Sequence, residues 1–255
     1  MTILKMISKS GAGHLGSAFS MVEILDCIFE RVNIEKIKNK SNDRDRVILS
    51  KGHGTSGLYA TMYHYGLLTD TEIESYFQDD TLLAGHATHH VSFVEHSTGG
   101  LGHGLPVGVG IAIGLKRKKF DSKVFVILGD GEMHEGSNWE AIMYAGHHKL
   151  SNLRIFIDVN NLSQVGIVDD CCTLEPLSNK FKSFNFDVYD VNGHEKSEIL
   201  EALTKSTESN KPAAIICRTI KGKGVSFMEN NNLWHYKCPK DQDFLNAMNE
   251  LERKI

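Results

Sequence analysis

Short runs rich in β-branched and aromatic residues alternate with amphipathic stretches along the chain, and two of the runs are apolar at every position. Val124-Phe-Val-Ile-Leu128 and Ala213-Ala-Ile-Ile-Cys217 leave no polar face, the pattern of strands covered on both sides of a sheet. Further runs lie at 47–50, 153–158 and 186–191, with helical patterns at about 17–31, 55–65, 106–118, 137–149, 196–208 and 241–253. Strand, helix, strand at this spacing predicts an α/β fold with a mostly parallel central sheet flanked by helices on both faces. A length of 255 residues is near the roughly 250–300 at which a single core stops growing, so one domain over 1–255 is expected. Ligands of such sheets bind beyond the carboxyl ends of the strands, and the residues just after each run come first.

The run ending at Leu128 is followed by Gly129-Asp130-Gly131-Glu132, an acid on a tight turn whose glycines leave backbone free to approach a ligand. Thirty residues beyond Asp130 (160 − 130 = 30), the next run ends in Asp158-Val-Asn160-Asn161-Leu162. Strand, helix, strand takes about that many residues, so Asp130 and Asn160 are expected side by side at one sheet edge. A carboxylate and an amide oxygen suit a hard cation such as Mg²⁺, which keeps phosphate oxygens and water as its other ligands. The alternative is a turn aspartate and an unrelated turn Asn-Asn, both common; the matched strand ends favour the metal–phosphate reading.

Composition narrows the partners. A net charge of −4 gives no electrostatic reason to expect nucleic acid or an anionic membrane. The longest apolar run, Leu105 to Leu115, is far short of the ~20 residues of a spanning helix. The first residues, interrupted by Lys5, do not read as a signal peptide. Five cysteines without a CxxC pair, two of them adjacent at Cys171-Cys172, point to free thiols and a reduced, cytoplasmic protein. Gly11-Ala-Gly13-His-Leu-Gly16 fits G-x-G-x-x-G formally, but a dinucleotide site needs a strand before it and an acid ending the second strand, and run 47–50 leads into Lys51. A zinc site from His86, His89 and His90 lacks a fourth ligand at suitable spacing.

The segment from Gly129-Asp130-Gly131 to Asn160-Asn161 resembles the diphosphate-binding motif of thiamine diphosphate enzymes, and 129–141 (GDGEMHEGSNWEA) resembles the transketolase family specifically. Ser10–Gly16, Leu49–Gly54, Thr98–Gly104 and Thr219–Phe227, the last followed by Trp234-His235, each resemble a transketolase signature and stand in the family's order. The resemblance implies the thiamine diphosphate-binding fold and two cofactors, thiamine diphosphate and Mg²⁺, with Ca²⁺ or Mn²⁺ as substitutes. It implies Asp130, Asn160 and the Leu162 carbonyl as metal ligands. His53, Gly99, Leu101, Gly129, Asp130, Gly131, Glu132, Asn160 and His235 are implied around the cofactor, and His14, His53, His86 and His235 as active-site histidines. Imidazoles suit proton transfer and hydrogen bonding to sugar hydroxyls near neutral pH. His103 stands where relatives often have glutamine, which implies a polar contact near the cofactor. The remaining histidines, His134 and His194 among them, read as surface or packing residues. Pro106 is expected to open a helix whose N-terminus favours diphosphate. Glu135 and Glu140 read either as residues that complement a helix N-terminus or, by resemblance, as dimer-interface residues.

The resemblance covers only the family's first domain. The pyrimidine-binding and C-terminal domains, with the acid that protonates the cofactor's aminopyrimidine, are expected on a partner chain, as in split transketolases, giving an α2β2 assembly. The implied activity is transfer of a two-carbon ketol unit from a ketose phosphate to an aldose phosphate. Two departures bear on substrate. The chain has Gly13-His14-Leu15-Gly16 where many relatives have Gly-His-Pro-Gly, and Trp234-His235-Tyr236 where split relatives commonly have Trp-His-Gly. With a leading helix expected to be shortened, they leave open a non-standard acceptor: a carrier-protein thioester, a sulfo-sugar or a specialised metabolite. A non-catalytic subunit retaining the fold is the third reading, against which Asp130, Asn160, His53 and His235 speak.

Overall fold

In the computed structural model, which describes residues 1–253, five strands form one parallel sheet. They are β1 (Arg46–Leu49), β2 (Val124–Gly129), β3 (Leu153–Val159), β4 (Asp187–Asn192) and β5 (Ala213–Arg218), in spatial order β1-β2-β3-β5-β4. Every pairing is parallel, and Gly129 of β2 is in register with Asp158 of β3. Each strand lies within about a residue of its sequence run.

Alternation of side chains explains the all-apolar runs. Phe125, Ile127, Phe156, Ile215 and Cys217 enter one buried cluster with helices Thr2–Ser10, Val22–Arg31, Thr55–His64 and Lys196–Thr207. Val124, Val126, Leu128, Ile155, Ile157 and Ile216 enter a second cluster with helices Gly104–Arg117, Gly136–His147 and Leu177–Ser183. Both faces are covered, so a strand here needs no polar side. β4 is at the sheet edge, and its residues are only partly buried, which matches its mixed run 186–191.

Two local expectations are corrected and a third is strengthened. The stretch 17–31 is two helices, Leu15–Phe19 and Val22–Arg31, with the chain leaving helical geometry at Met21; beside this break the Ser20 hydroxyl donates to Asp158, 2.5 Å away. Pro106 does not open its helix: Gly104 does, and Pro106 is the third residue, still in the first turn where an N–H has no intrahelical acceptor. The segment before Gly11-Ala-Gly13 is a helix, Thr2–Ser10, burying Ile3, Leu4, Met6 and Ile7 and ending at Gly11 in the left-handed conformation, so the dinucleotide motif lacks its strand for this stronger reason.

Candidate active site

The turns that follow β1, β2, β3 and β5 all border one cleft of about 530 Å³ at the carboxyl edge of the sheet. Asp130 follows β2 and Asn160 follows β3, one residue beyond each strand, and adjacency of the strands makes them neighbours. Asp130 is 4% exposed. Its carboxylate accepts the Gly131 N–H at 2.8 Å and the Asn161 N–H at 2.5 Å. Burial and then the Asp158 charge raise its pKa to about 6. The Asn160 side-chain oxygen accepts the Leu162 N–H at 3.1 Å, and Asn161 supports the turn with a φ of 57°.

Beneath this turn is a buried ion pair that nothing in the local sequence reveals. Lys51 donates to the Asp158 carboxylate and, at 3.2 Å, to the Ser17 carbonyl; the two charged side chains are 1% and 0% exposed. Burial pushes the Asp158 carboxyl up, but Lys51 together with the Ser20 and Thr219 hydroxyls outweighs it and holds it below the usual range. A second buried lysine, Lys221, donates to the Leu162 carbonyl at 2.9 Å and contacts His235 Nδ1 at 2.6 Å. Burial and then Lys51 lower the Lys221 pKa to about 8. Both lysines fall within three residues of a strand's carboxyl end, after β1 and β5, and that placement is the signal by which they could have been found.

The four histidines singled out in the sequence converge. His14 stands with its ring centroid 5.2 Å from His53, 5.2 Å from His235 and 6.1 Å from His86. His53 and His235 stack at 6.0 Å. Burial, reinforced for His14, His53 and His235 by nearby cations, keeps them neutral: His14 is lowered to about 4, His235 to about 3, and His53 and His86 are lowered as well. Lys221 can only donate, so His235 Nδ1 accepts and the proton belongs on Nε2. His14 adopts a left-handed φ of 67°, and its Nδ1 is buried without a partner. Tyr236 packs 5.0 Å from His14 and 4.8 Å from His235 and is 53% exposed.

Gly99, Leu101, Gly129, Gly131 and Leu162 also line the cleft. Glu132 lines it too, yet its carboxylate is committed: one oxygen accepts the Ser50 hydroxyl at 2.5 Å and the Gly102 N–H at 2.9 Å, the other the Gly129 N–H at 3.3 Å. It therefore fastens the turn after β1 and the loop carrying Gly102 to the end of β2. Gly102 has a φ of 81°, and an added Cβ would come within 2.6 Å of Glu135, so this loop needs glycine there. His103 is exposed and outside the cleft lining, whereas His134, read from sequence as surface or packing, lines it. His194 is held between Glu23 and the Ile220 N–H, a packing role. Glu135 stands at the N-cap position of the Gly136–His147 helix, where its side chain makes no capping hydrogen bond, and lines the cleft; Glu140 is exposed on that helix.

The donor set fits a metal–diphosphate group. Asp130, Asn160 and the Leu162 carbonyl offer oxygen ligands of the kind a hard divalent cation takes, and each amide or carbonyl oxygen retains a second lone pair. Two buried ammonium groups border the same cleft, Lys51 paired with Asp158 and Lys221 on the Leu162 carbonyl, and backbone at Gly99 is open, with nothing within 4 Å of where a Cβ would stand. Among the described residues no helix is long and apolar enough to cross a membrane.

Comparison with known proteins identifies the family. Residues 2–251 match the family model "Transketolase, thiamine diphosphate binding domain". The chain is 38% identical over 254 residues to one of the subunits of apulose-4-phosphate transketolase from Actinobacillus succinogenes, covering 99% of this chain and 92% of that one. It is 33% identical over 254 residues to the 6-deoxy-6-sulfo-D-fructose transketolase subunit SqwG of a Clostridium species, covering 98% and 92%. Among solved structures, transketolase from Campylobacter jejuni superposes with a TM-score of 0.90 at 28% identity, covering 98% of this chain and 41% of that one. The chain thus spans under half of that enzyme's length. With a match along nearly its whole length and a cleft whose donors suit the cofactor, the chain belongs to the transketolase family, of which it carries the thiamine diphosphate-binding domain.

Proposed function

We propose that this chain is the cofactor-binding subunit of a two-chain transketolase, binding thiamine diphosphate through a divalent cation, Mg²⁺, held by Asp130, Asn160 and the Leu162 carbonyl. The observation that carries the reading is the placement of Asp130 and Asn160 at adjacent strand ends in the same cleft as four neutral histidines. Thiamine diphosphate, when bound, supplies the electron sink for breaking and making a carbon–carbon bond next to a ketose carbonyl.

The chain's own residues do the rest. Lys51 and Lys221 meet anionic diphosphate oxygens, and Lys221 in turn orients His235. With Nδ1 accepting from Lys221, His235 presents Nε2–H, a donor suited to a sugar oxygen or to delivering a proton there. His14, His53 and His86 remain uncharged at neutral pH and form hydrogen bonds with substrate hydroxyls without a cation's desolvation cost. Glu132 holds the 98–104 loop against β1 and β2, so Gly99 and Leu101 are positioned rather than mobile.

The pyrimidine-binding half comes from a C-terminal subunit in an α2β2 assembly. Two relatives matched along nearly their whole length are themselves named as subunits of a transketolase, which supports a partner. Free thiols at all five cysteines suit the cytoplasm. The donor is a ketose phosphate and the acceptor an aldose phosphate. A non-standard sugar acceptor is the second reading, favoured by Tyr236 at the histidine cluster; the relatives named for apulose 4-phosphate and a sulfo-fructose, both ketoses, point instead to a non-standard donor. Ketol transfer assayed with the co-expressed partner across plain, branched and sulfonated sugars decides between them. Activity on plain phosphosugars supports the first reading, activity confined to the others supports the second, and no turnover with any sugar overturns both.

A further inference from the structure

The five cysteines divide sharply. Cys27 and Cys217 are buried, and burial raises both thiols, that of Cys27 to about 12; Cys238 is half-buried and raised by the same cause. Cys171 and Cys172 are exposed and adjacent. Thiols buried in apolar surroundings are inert, so the accessible thiols of the chain are concentrated at one dipeptide.

That dipeptide belongs to a wall between two cavities. Cys171 lines the cofactor cleft. Cys172 lines a second cavity of about 570 Å³ with Met133, Trp139, Leu174 and Phe184. The Cys172 carbonyl accepts from His134 Nε2 at 2.8 Å, and His134 borders both spaces. The wall is also tied to the metal-binding turn. The Val168 N–H donates to the Asn161 carbonyl at 3.1 Å, Leu162 and Ile167 form a β-bridge, and the Ser163 N–H donates to the Gly166 carbonyl at 2.8 Å. Val165, between them, is 79% exposed, while Val168 is buried in the core, so backbone bonds hold the tip of this segment and packing anchors its far end.

We propose that Cys171 and Cys172 form a peroxide-sensitive pair whose oxidation to a vicinal disulfide weakens thiamine diphosphate binding in the neighbouring cleft. The inference rests on the cofactor reading of that cleft. One cysteine, as thiolate, attacks hydrogen peroxide; an S–O bond forms, the O–O bond breaks, and hydroxide leaves and takes up a proton as water. The other sulfur then attacks the sulfenic sulfur, forming S–S and releasing a second water. Two thiols are oxidised and one peroxide is reduced to two waters. Neighbouring Cα atoms are about 3.8 Å apart across a trans peptide, closer than the roughly 4.4–6.8 Å usual for disulfides. Such a bond is strained and returns readily to thiols with a low-molecular-weight thiol. Because the two residues border different cavities, closing the bond turns the peptide between them, and the wall pulls on Asn161 and Leu162.

The test treats the reduced full chain with hydrogen peroxide, maps the oxidised peptide by mass, and titrates thiamine diphosphate with Mg²⁺ by calorimetry. Expected are a loss of two hydrogen masses on the peptide carrying both cysteines and an affinity lower by about tenfold, both reversed by dithiothreitol. The C171S/C172S double variant keeps its affinity after peroxide, and C172S gains an oxygen instead of losing two hydrogens. An unchanged mass overturns the proposal, as does an equal loss of affinity in the double variant. If the reduced chain binds no thiamine diphosphate, the cofactor reading fails, and the mass change alone then decides the thiol chemistry.

Discussion

Asp130 is the residue on which the site turns. Its carboxylate is buried, holds the backbone N–H groups of Gly131 and Asn161 in the turns after β2 and β3, and is the sole anionic oxygen donor of the proposed metal set. Asp130→Ala is expected to lower Mg²⁺-dependent thiamine diphosphate affinity by about 100-fold or more, beyond the 10–100-fold typical of outer-shell changes. Calorimetry with and without Mg²⁺ measures it, and Asp130→Asn, which keeps the shape, separates ligand loss from unfolding. His235→Ala should behave differently. With partner present, turnover is expected to fall by about 10²–10⁴, the usual share of a positioned proton donor, while cofactor still binds; normal turnover in a folded variant removes His235 from the catalytic set.

The histidines also set a pH limit. His14 and His235 titrate near 4 and 3 in the folded chain against 6.5 ordinarily, first because they are buried. The unfolded chain therefore takes up protons below about pH 6.5 that the folded chain refuses, and stability, complete above that pH, declines as pH falls toward 4. Thermal midpoints should drop between pH 7 and pH 5, and less steeply in His14→Asn. An unchanged slope in that variant would mean other groups govern the acid limb.

At the scale of elements, the site is a junction of strand ends. Glu132 binds the turn after β1, the 98–104 loop and the end of β2. The Lys51–Asp158 pair joins β1 to β3 and collects Ser17, Ser20 and Thr219 around it. Removing one partner of such a pair leaves an uncompensated buried charge, so Lys51→Met is expected to cost about 3–5 kcal/mol in chemical denaturation. Adding Asp158→Leu should recover much of that loss. A double variant no more stable than Lys51→Met would show that the two charges act independently. Element types were legible because each depends on nearby residues: the successive apolar positions of 124–128 and 213–217 mean a covered strand wherever the sheet goes. The hydrogen bond that Ser20 makes beside the break in 17–31 was not, since its partner is an aspartate 138 positions away.

At the scale of the whole molecule, the chain matches a relative named as a transketolase subunit along 92% of that relative's length, and a solved transketolase over 41% of its length. The purified chain is expected to bind thiamine diphosphate with Mg²⁺ yet show no ketol transfer until a C-terminal subunit is added. Steady-state assays of the chain alone and of the reconstituted pair check this, and full turnover by the chain alone would overturn the two-chain reading.

The amino-acid sequence by itself determined the parallel sheet and the meeting of Asp130 with Asn160. A single helix between β2 and β3 favours pairing those two strands side by side, which brings their ends together; consecutive order alone does not decide it, since β5 lies between β3 and β4. The motifs also named the four histidines, although nothing in their spacing could show that they converge. Tertiary structure alone decided the ion pair of Lys51 with Asp158, 107 positions apart, and the link from Leu162 through Lys221 to His235. It alone decided that Glu132 fastens loops and that Cys171 borders the cleft. Those features are contacts between side chains brought together by chain crossings, and burial, which sets their charge states, has no counterpart in local sequence.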